Sequence, residues 1–308
     1  MMEYHAEGRC LSVEGLSRDA LRAACAAGEI VQGTAVAFDH LHRLHVQLGG
    51  STAVMDWPEC ADGAAEGRVR QAAVLSRVGK PACFVIEDIT EGAEGPEYRL
   101  SRRRAQQRCR EDYLSLLEPG DVIPCTVTHL ASFGAFCDVG CGISALLPID
   151  CLSVSRISSP SDRVAVGQEL LCAVKGRDGQ GRLVLTLREL LGTWEENAAR
   201  FHAGETVVGI VRSVEEYGVF IEIAPNLAGL AECSSGLFPG QAVSVYIKSI
   251  LPRRMKLKLS VVDRHLSADI RFELHYFIRE GPIGHWVYST PESGKHIETV
   301  FARPALCP

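Results

Sequence analysis

Three stretches of the chain open alike and close alike at a spacing of about 90 residues, the size of a small domain and too long for a solenoid unit. The openings are Ala27-Gly28-Glu29-Ile30-Val31, Pro119-Gly120-Asp121-Val122-Ile123 and Ala203-Gly204-Glu205-Thr206-Val207. The closings are Leu100-Ser101-Arg102, Leu185-Thr186-Leu187-Arg188 and Leu259-Ser260-Val261. A chain repeated this way folds as three copies of one small domain. The boundaries that follow are an N-terminal helical segment 1–26, a degenerate first unit 27–102, a basic connector helix 103–118 and a middle unit 119–187. A second connector helix 188–202, a shortened third unit 203–263 and a tail 264–308 complete the chain.

The middle unit carries Ser132-Phe133-Gly134-Ala135-Phe136-Cys137-Asp138-Val139. On a strand, Ala135, Cys137 and Val139 share one face, and Phe136 and Asp138 share the other. The small and aliphatic side chains claim the core. Phe136 is left on the wet face beside a carboxylate, with Phe133 across a glycine. Tyr217-Gly218-Val219-Phe220-Ile221-Glu222-Ile223 repeats the pattern, with Val219, Ile221 and Ile223 inward and Phe220 and Glu222 outward. Exposed aromatics given twice on a small sheet suit stacking on flat ligands, of which unpaired bases are the commonest.

Composition narrows the classes. The chain has 308 residues, 46% hydrophobic and 23% charged, with a net charge of -6, so any nucleic-acid binding must come from local sites rather than a basic surface. Twelve cysteines show no C-x-x-C spacing, and Cys125, Cys137 and Cys172 sit in apolar strand-like runs. No basic flank with an apolar stretch opens the chain and no run is long enough to span a bilayer, which predicts a cytoplasmic protein without membrane contact. There is no nucleophile elbow, Walker loop or H-E-x-x-H, so neither an enzyme nor a cofactor is expected. Gly176-Arg177-Asp178-Gly179-Gln180-Gly181 mimics a phosphate loop but reads as a hairpin turn, because strands flank it. His265, His275, His285 and His296 match no common metal spacing and have no evident carboxylate partner, so no metal is expected.

Five strands are predicted in the middle unit, near 121–130, 134–139, 143–148, 169–175 and 182–187, with a long connection at 149–168. That pattern fits a five-stranded Greek-key barrel, the OB-fold. The fold class is therefore mainly β, with three such barrels in tandem, short connecting helices and a C-terminal β-hairpin tail. The Phe-Gly-Ala-Phe turn, Val166-Gly167-Gln168 before the fourth strand and the Leu-Thr-Leu close resemble the S1 RNA-binding domain, the repeat of the largest protein of the small ribosomal subunit. The resemblance implies nucleic-acid-binding roles for Phe133, Phe136, Asp178 and Arg182, and for Tyr217, Phe220 and Lys256 in the third unit. Where that family has a histidine ending the third strand, this chain has Pro148 and Glu232, and nothing acidic in the third unit matches Asp178. In the first unit His42 and His45 occupy the ring positions, Asp56 the histidine position and Glu97 the place of Arg182. Its barrel is kept and its platform lost; its two histidines could still stack on bases, but the plainer reading is that they are solvated.

Cations lie beside these positions. Lys256 and Lys258 alternate with Leu257 and Leu259 and share the outward face, and Arg253 and Arg254 occupy the adjoining turn. Arg102, Arg103, Arg104, Arg108 and Arg110 lie on the first connector helix, whose apolar positions are Ala105, Cys109, Leu116 and Leu117. They suit either phosphate contacts or a solvated face. The second connector spaces Leu187, Leu190, Leu191, Trp194, Ala198 and Phe201 as a helix. Ser17 caps a helix carrying Leu21 and Cys25. In the tail, Ile270 to Ile278 alternate as a strand, Gly281 to Gly284 turn, and a return strand holds Trp286 and Tyr288. The expected function is binding of single-stranded RNA, mRNA in particular, in translation, with the small ribosomal subunit as a partner. The alternative is a protein-interaction scaffold of barrels with little RNA affinity.

Overall fold

The computed structural model describes residues 4–92, 95–233, 235–264, 266 and 270–302. The chain forms two compact units, Met1–Leu117 with Asp138–Ser144, and Glu118–Cys137 with Ala145–Pro308. Among the described residues no helix is long and apolar enough to cross a membrane.

The first unit runs β1 (Leu11–Ser12), α1 (Arg18–Ala27), β2 (Ile30–Phe38), β3 (Leu44–Leu48), β4 (Ser51–Met55), α2 (Gln71–Leu75), β5 (Pro81–Gly92), β6 (Gly95–Ser101) and α3 (Arg102–Asp112). Strands β2 to β6 close a barrel, with β4 and β6 parallel and β2 paired to both β3 and β5. Leu44, Val46 and Leu48 point into a core with Val31, Phe84, Ile86 and Leu100, as their alternation requires. The Ser17 side chain caps α1, and Gly28 ends the helix in the left-handed region at φ 61. Ser101 caps α3, which buries Ala105 and Cys109. Leu116 is 71% exposed, contrary to its predicted apolar role. The α-helix has ended at Asp112, and the following tight turn buries Leu114 instead.

Alternation also misplaced Asp138, which is buried rather than outward. Its carboxylate accepts bonds from the backbone N–H groups of Glu7, Gly140 and Gly142 at 2.8, 2.9 and 3.1 Å. Burial, then the charge of Glu7, raises its pKa to about 7. Burial pushes Glu7 up too, but Arg102 and Arg77, at 2.6 and 2.5 Å, hold its carboxyl below the ordinary value. The two groups act oppositely on stability. Asp138 contributes stability that is fully present below its ordinary value of 3.8 and is lost as pH rises through about 7. The contribution of Glu7 is lost only below its ordinary value of 4.5. Between pH 5 and 8 the urea midpoint is therefore expected to fall through Asp138, and Asp138→Asn to flatten that fall. An equally steep fall in the variant would remove Asp138 as its source.

The second unit holds β7 (Val122–Ala131), β8 (Gly134–Asp138) and β9 (Ser144–Pro148) except for Asp138 and Ser144 themselves, then α4 (Ile149–Leu152), β10 (Glu169–Arg177) and β11 (Leu183–Thr186). After α5 (Trp194–Ala198) come β12 (Thr206–Glu215), β13 (Gly218–Ala224), β14 (Leu227–Ala231), β15 (Ala242–Leu251) and β16 (Lys256–Asp263). Each set of five strands closes a barrel, in the orders β10-β11-β9-β8-β7 and β12-β13-β14-β16-β15. The last strand lies parallel to the third in both, Val184 opposite Leu146 and Leu230 opposite Lys258, which is the Greek-key connection. The predicted class therefore holds, as mainly β with three closed five-stranded OB-like barrels.

The tail ends in β17 (His285–Val287) and β18 (Glu298–Val300), which pair antiparallel. The tail hairpin is therefore present, but its strands are not the predicted ones. Residues 270–276 alternate in exposure but form no ladder, and the Phe277 N–H donates instead to the Leu190 carbonyl at 2.9 Å. One buried cluster joins Ala173, Leu190 and Trp194 to the third barrel and to Trp286, Tyr288 and Phe301 of the tail.

Polar groups complete the junction between the two barrels. Glu222, predicted to face outward, is fully buried. It accepts from Arg163 at 2.6 Å and from Arg212 Nε at 2.8 Å, and both guanidiniums are buried. Asn226, in the left-handed region at φ 66, accepts from Val154 N–H at 2.9 Å and donates to the Arg188 carbonyl at 2.8 Å. Arg163, Val154 and Arg188 flank the middle barrel, whereas Glu222 and Asn226 belong to the third.

Candidate nucleic-acid interface

A glycine sets each ring pair. A Cβ on Gly134 would stand 2.5 Å from the Leu147 carbonyl oxygen, and one on Gly218 2.6 Å from that of Ala231. Only glycine lets β8 press on β9, or β13 on β14, at that point, and the rings on either side of it are turned to the surface. Phe133 is 56% exposed and Phe136 half-buried, with centroids 5.9 Å apart and planes at 88°. Tyr217 and Phe220 repeat this at 6.2 Å and 88°, Tyr217 being 69% exposed. Edge-to-face packing holds one ring of each pair against the barrel and leaves a face of the other open.

The middle platform has a third ring that sequence reasoning missed. His129 on β7 stacks on Phe136 at 6.1 Å and 28°. Alternation from Ile123, Cys125 and Val127 would send His129 inward, but the strand leaves that pattern at its end and both Thr128 and His129 are exposed. Asp178 and Arg182 are brought together and bind each other. Arg182 donates to Asp178 through its backbone N–H at 2.9 Å and through Nε at 2.7 Å. The Arg182 N–H and guanidinium bonds hold the Asp178 carboxyl below its ordinary value. The pair closes the β10–β11 turn, and Arg182 stays exposed.

In the third barrel a groove of about 530 Å³ is lined by Tyr217, Phe220, Leu230, Lys248, Lys256 and Lys258. Lys256 and Lys258 are exposed and flank buried Leu257. Lys248 is engaged with Glu232 at 2.7 Å, which holds that carboxyl below its ordinary value. A second groove continues from Tyr217 and Phe220 to Arg156, Arg212 and Lys295. Arg254 is exposed, and Arg253 pairs with Glu292 at 3.1 Å.

The arginine helix is mostly committed elsewhere. Arg102 is buried against Glu7 and is not available to a phosphate. Arg103 binds Glu59 at 2.9 Å, Arg104 lies 3.6 Å from Glu87, and Arg110 lies 3.3 Å from Asp62. These acidic partners are remote in sequence, so composition of the helix alone could not reveal them. The first-barrel histidines are likewise partnered rather than simply solvated. His45 lies 3.0 Å from Asp39, and His42 bonds Gln71 at 2.7 Å. His42 also forms an edge-on trio with Phe38 and Trp57 at 6.0 to 6.5 Å. In the tail, Glu298 meets both His285 at 2.8 Å and His296 at 3.2 Å, a carboxylate partner that the sequence did not suggest. His265 lies outside the described residues. Among the described residues no group of three or more His, Cys, Asp or Glu is placed to hold a metal ion.

Residues 116–188 match the family model of the S1 RNA binding domain. The chain is 32% identical over 179 residues to small ribosomal subunit protein bS1 of Staphylococcus aureus (strain COL), covering 53% of this chain and 46% of that protein. To bS1 of Staphylococcus haemolyticus it is 34% identical over 180 residues, covering 53% and 45%. The matched stretch thus spans less than half of these relatives. A multidomain protein with nucleic acid binding domains from Streptococcus pneumoniae aligns over 78% of this chain and 75% of its own, at 15% identity and a TM-score of 0.26. The chain is therefore S1-like, and the likeness is strongest over its middle barrel, where residues 116–188 match the S1 RNA binding domain.

Proposed function

We propose that the chain binds single-stranded RNA on the ring platforms of its second and third barrels. The single observation that carries this reading is the recurrence of the glycine-set, edge-to-face ring pair at Phe133/Phe136 and Tyr217/Phe220. Bases stack on Phe133 and Tyr217, while Lys256, Lys258 and Arg182 meet phosphates. The S1 domain match and the likeness to bS1 support a role in translation, with mRNA as ligand, the small ribosomal subunit as partner and the cytoplasm as location. Arg103, Arg104, Arg253 and Arg254 would contribute at most secondary phosphate contacts, since three of the four already face carboxylates.

The test is binding of single-stranded and duplex RNA of equal length, followed across salt. Stacking needs unpaired bases, so the single strand is expected to bind more tightly. With about two to four phosphates neutralised, the log–log salt slope for a single strand is expected at about −1.4 to −2.8. Equal or tighter duplex binding would refute the platforms. No binding to any single-stranded homopolymer would leave the barrels as a protein scaffold.

A further inference from the structure

Four cysteines that RNA binding does not use lie in a row within the first unit. Cys10 Sγ is 3.0 Å from Cys83 Sγ, although the residues are 73 apart in sequence. The Cys83 thiol is hydrogen-bonded to that of Cys141, and Cys141 to Cys109. Among the described residues these thiols make no metal site. The row does bring one pair within about 1 Å of the disulfide bond length of about 2.0 Å.

Backbone frames both members of that pair. Cys10 immediately precedes β1, and its N–H donates to Gln32 Oε1 at 3.2 Å. Cys83 lies on β5, directly opposite Gln32 of β2. Access is unequal. Cys10 is half-buried and lines an open groove with Tyr4, His5, Arg9 and Cys141, whereas Cys83 is fully buried. Hydrogen bonds with Cys10 and Cys141, together with burial, raise the Cys83 pKa, so Cys83 stays a thiol while Cys10 meets solvent.

We propose that Cys10 and Cys83 are a peroxide-oxidised pair that closes to a reversible disulfide. The Cys10 thiolate attacks one oxygen of hydrogen peroxide; an S–O bond forms, the O–O bond breaks, and the departing hydroxide takes up a proton to leave as water. Cys83 then gives its proton to the sulfenic oxygen and attacks the sulfenic sulfur of Cys10 as a thiolate. The S–S bond forms as the S–O bond breaks, and the Cys83 proton leaves with that hydroxyl as a second water. Two thiols are oxidised by two electrons, and one peroxide is reduced to two waters. The product staples the segment ahead of β1 to strand β5.

The full chain, carrying Cys233→Ser to remove an exposed thiol that would cross-link molecules, is treated with hydrogen peroxide, alkylated, digested and read by non-reducing mass spectrometry. The expected product is a Cys10–Cys83 linked peptide, two hydrogens lighter than its parts and abolished by dithiothreitol. With Cys83→Ser added, Cys10 is expected to persist as a sulfenic acid that dimedone traps. A link from Cys83 to Cys141 or Cys109 instead would overturn the assignment. So would full alkylation of Cys10 at a peroxide dose that already oxidises Cys233 in the unmodified chain.

Discussion

Replacing Phe133 and Phe136 together with alanine is expected to weaken binding of an unstructured RNA by about tenfold or more, and Tyr217→Ala with Phe220→Ala to do the same. Base stacking on an aromatic contributes about 1–3 kcal/mol per base, and each 1.4 kcal/mol is about tenfold in affinity. The more open ring of each pair, Phe133 or Tyr217, should carry most of the loss. A contrasting variant separates binding from folding. Ile221→Ala, one residue beyond Phe220 and fully buried, should cost about 2–5 kcal/mol of stability through a cavity. The platform variants should melt near the parent protein. Affinity unchanged in both folded double variants would leave the scaffold reading in place of RNA binding.

Glu222→Ala is expected to destabilise the second unit by about 3–5 kcal/mol. The carboxylate is the shared partner of two buried guanidiniums; removing it deprives Arg163 of its carboxylate and leaves Arg212 with Asp162 at 3.7 Å. Urea unfolding followed by Trp194 and Trp286, both buried in this unit, reads the effect. Replacing Arg163, Arg212 and Glu222 together with apolar residues should restore much of the loss, because the cost lies in unpaired charge rather than in lost volume. By contrast Glu292→Ala, which breaks an exposed pair with Arg253, should change little. A Glu222→Ala protein within about 1 kcal/mol of the parent would show that water reaches the arginines.

The barrels were legible because their constraints are local. Alternation at Leu44–Leu48 and Val219–Ile223 fixes which side chains are inward, and the glycine beside each ring pair marks where two strands press together. Alternation says nothing about what covers the outer face. Asp138 and Glu222 follow the outward parity of Phe136 and Phe220, yet both are buried beneath chain that arrives from elsewhere, Glu7 in one case and Arg163 in the other. The same limit explains Arg102, whose partner Glu7 lies 95 positions away. In the tail, an alternating run suggests a paired strand, but alternation needs only one packed side and not a hydrogen-bonded neighbour. Of the candidate site, the four platform aromatics and the two lysines could be located from sequence. His129 could not, because the end of β7 departs from regular pleating.

The buried seam of Arg163, Glu222 and Asn226 gives the two ring platforms a fixed separation. In the RNA-binding reading, a strand captured by Phe133 and long enough to reach Tyr217 meets the second platform as an intramolecular event. No protein linker has to be ordered when it does. The effective concentration at the second site is then set by the stiffness of the RNA itself, and avidity gains of about 10²–10⁴ over a single site come without any new contact. In that reading, oligonucleotides too short to bridge the separation forgo the gain entirely, and the seam would turn two weak base-stacking surfaces into a device that measures strand length.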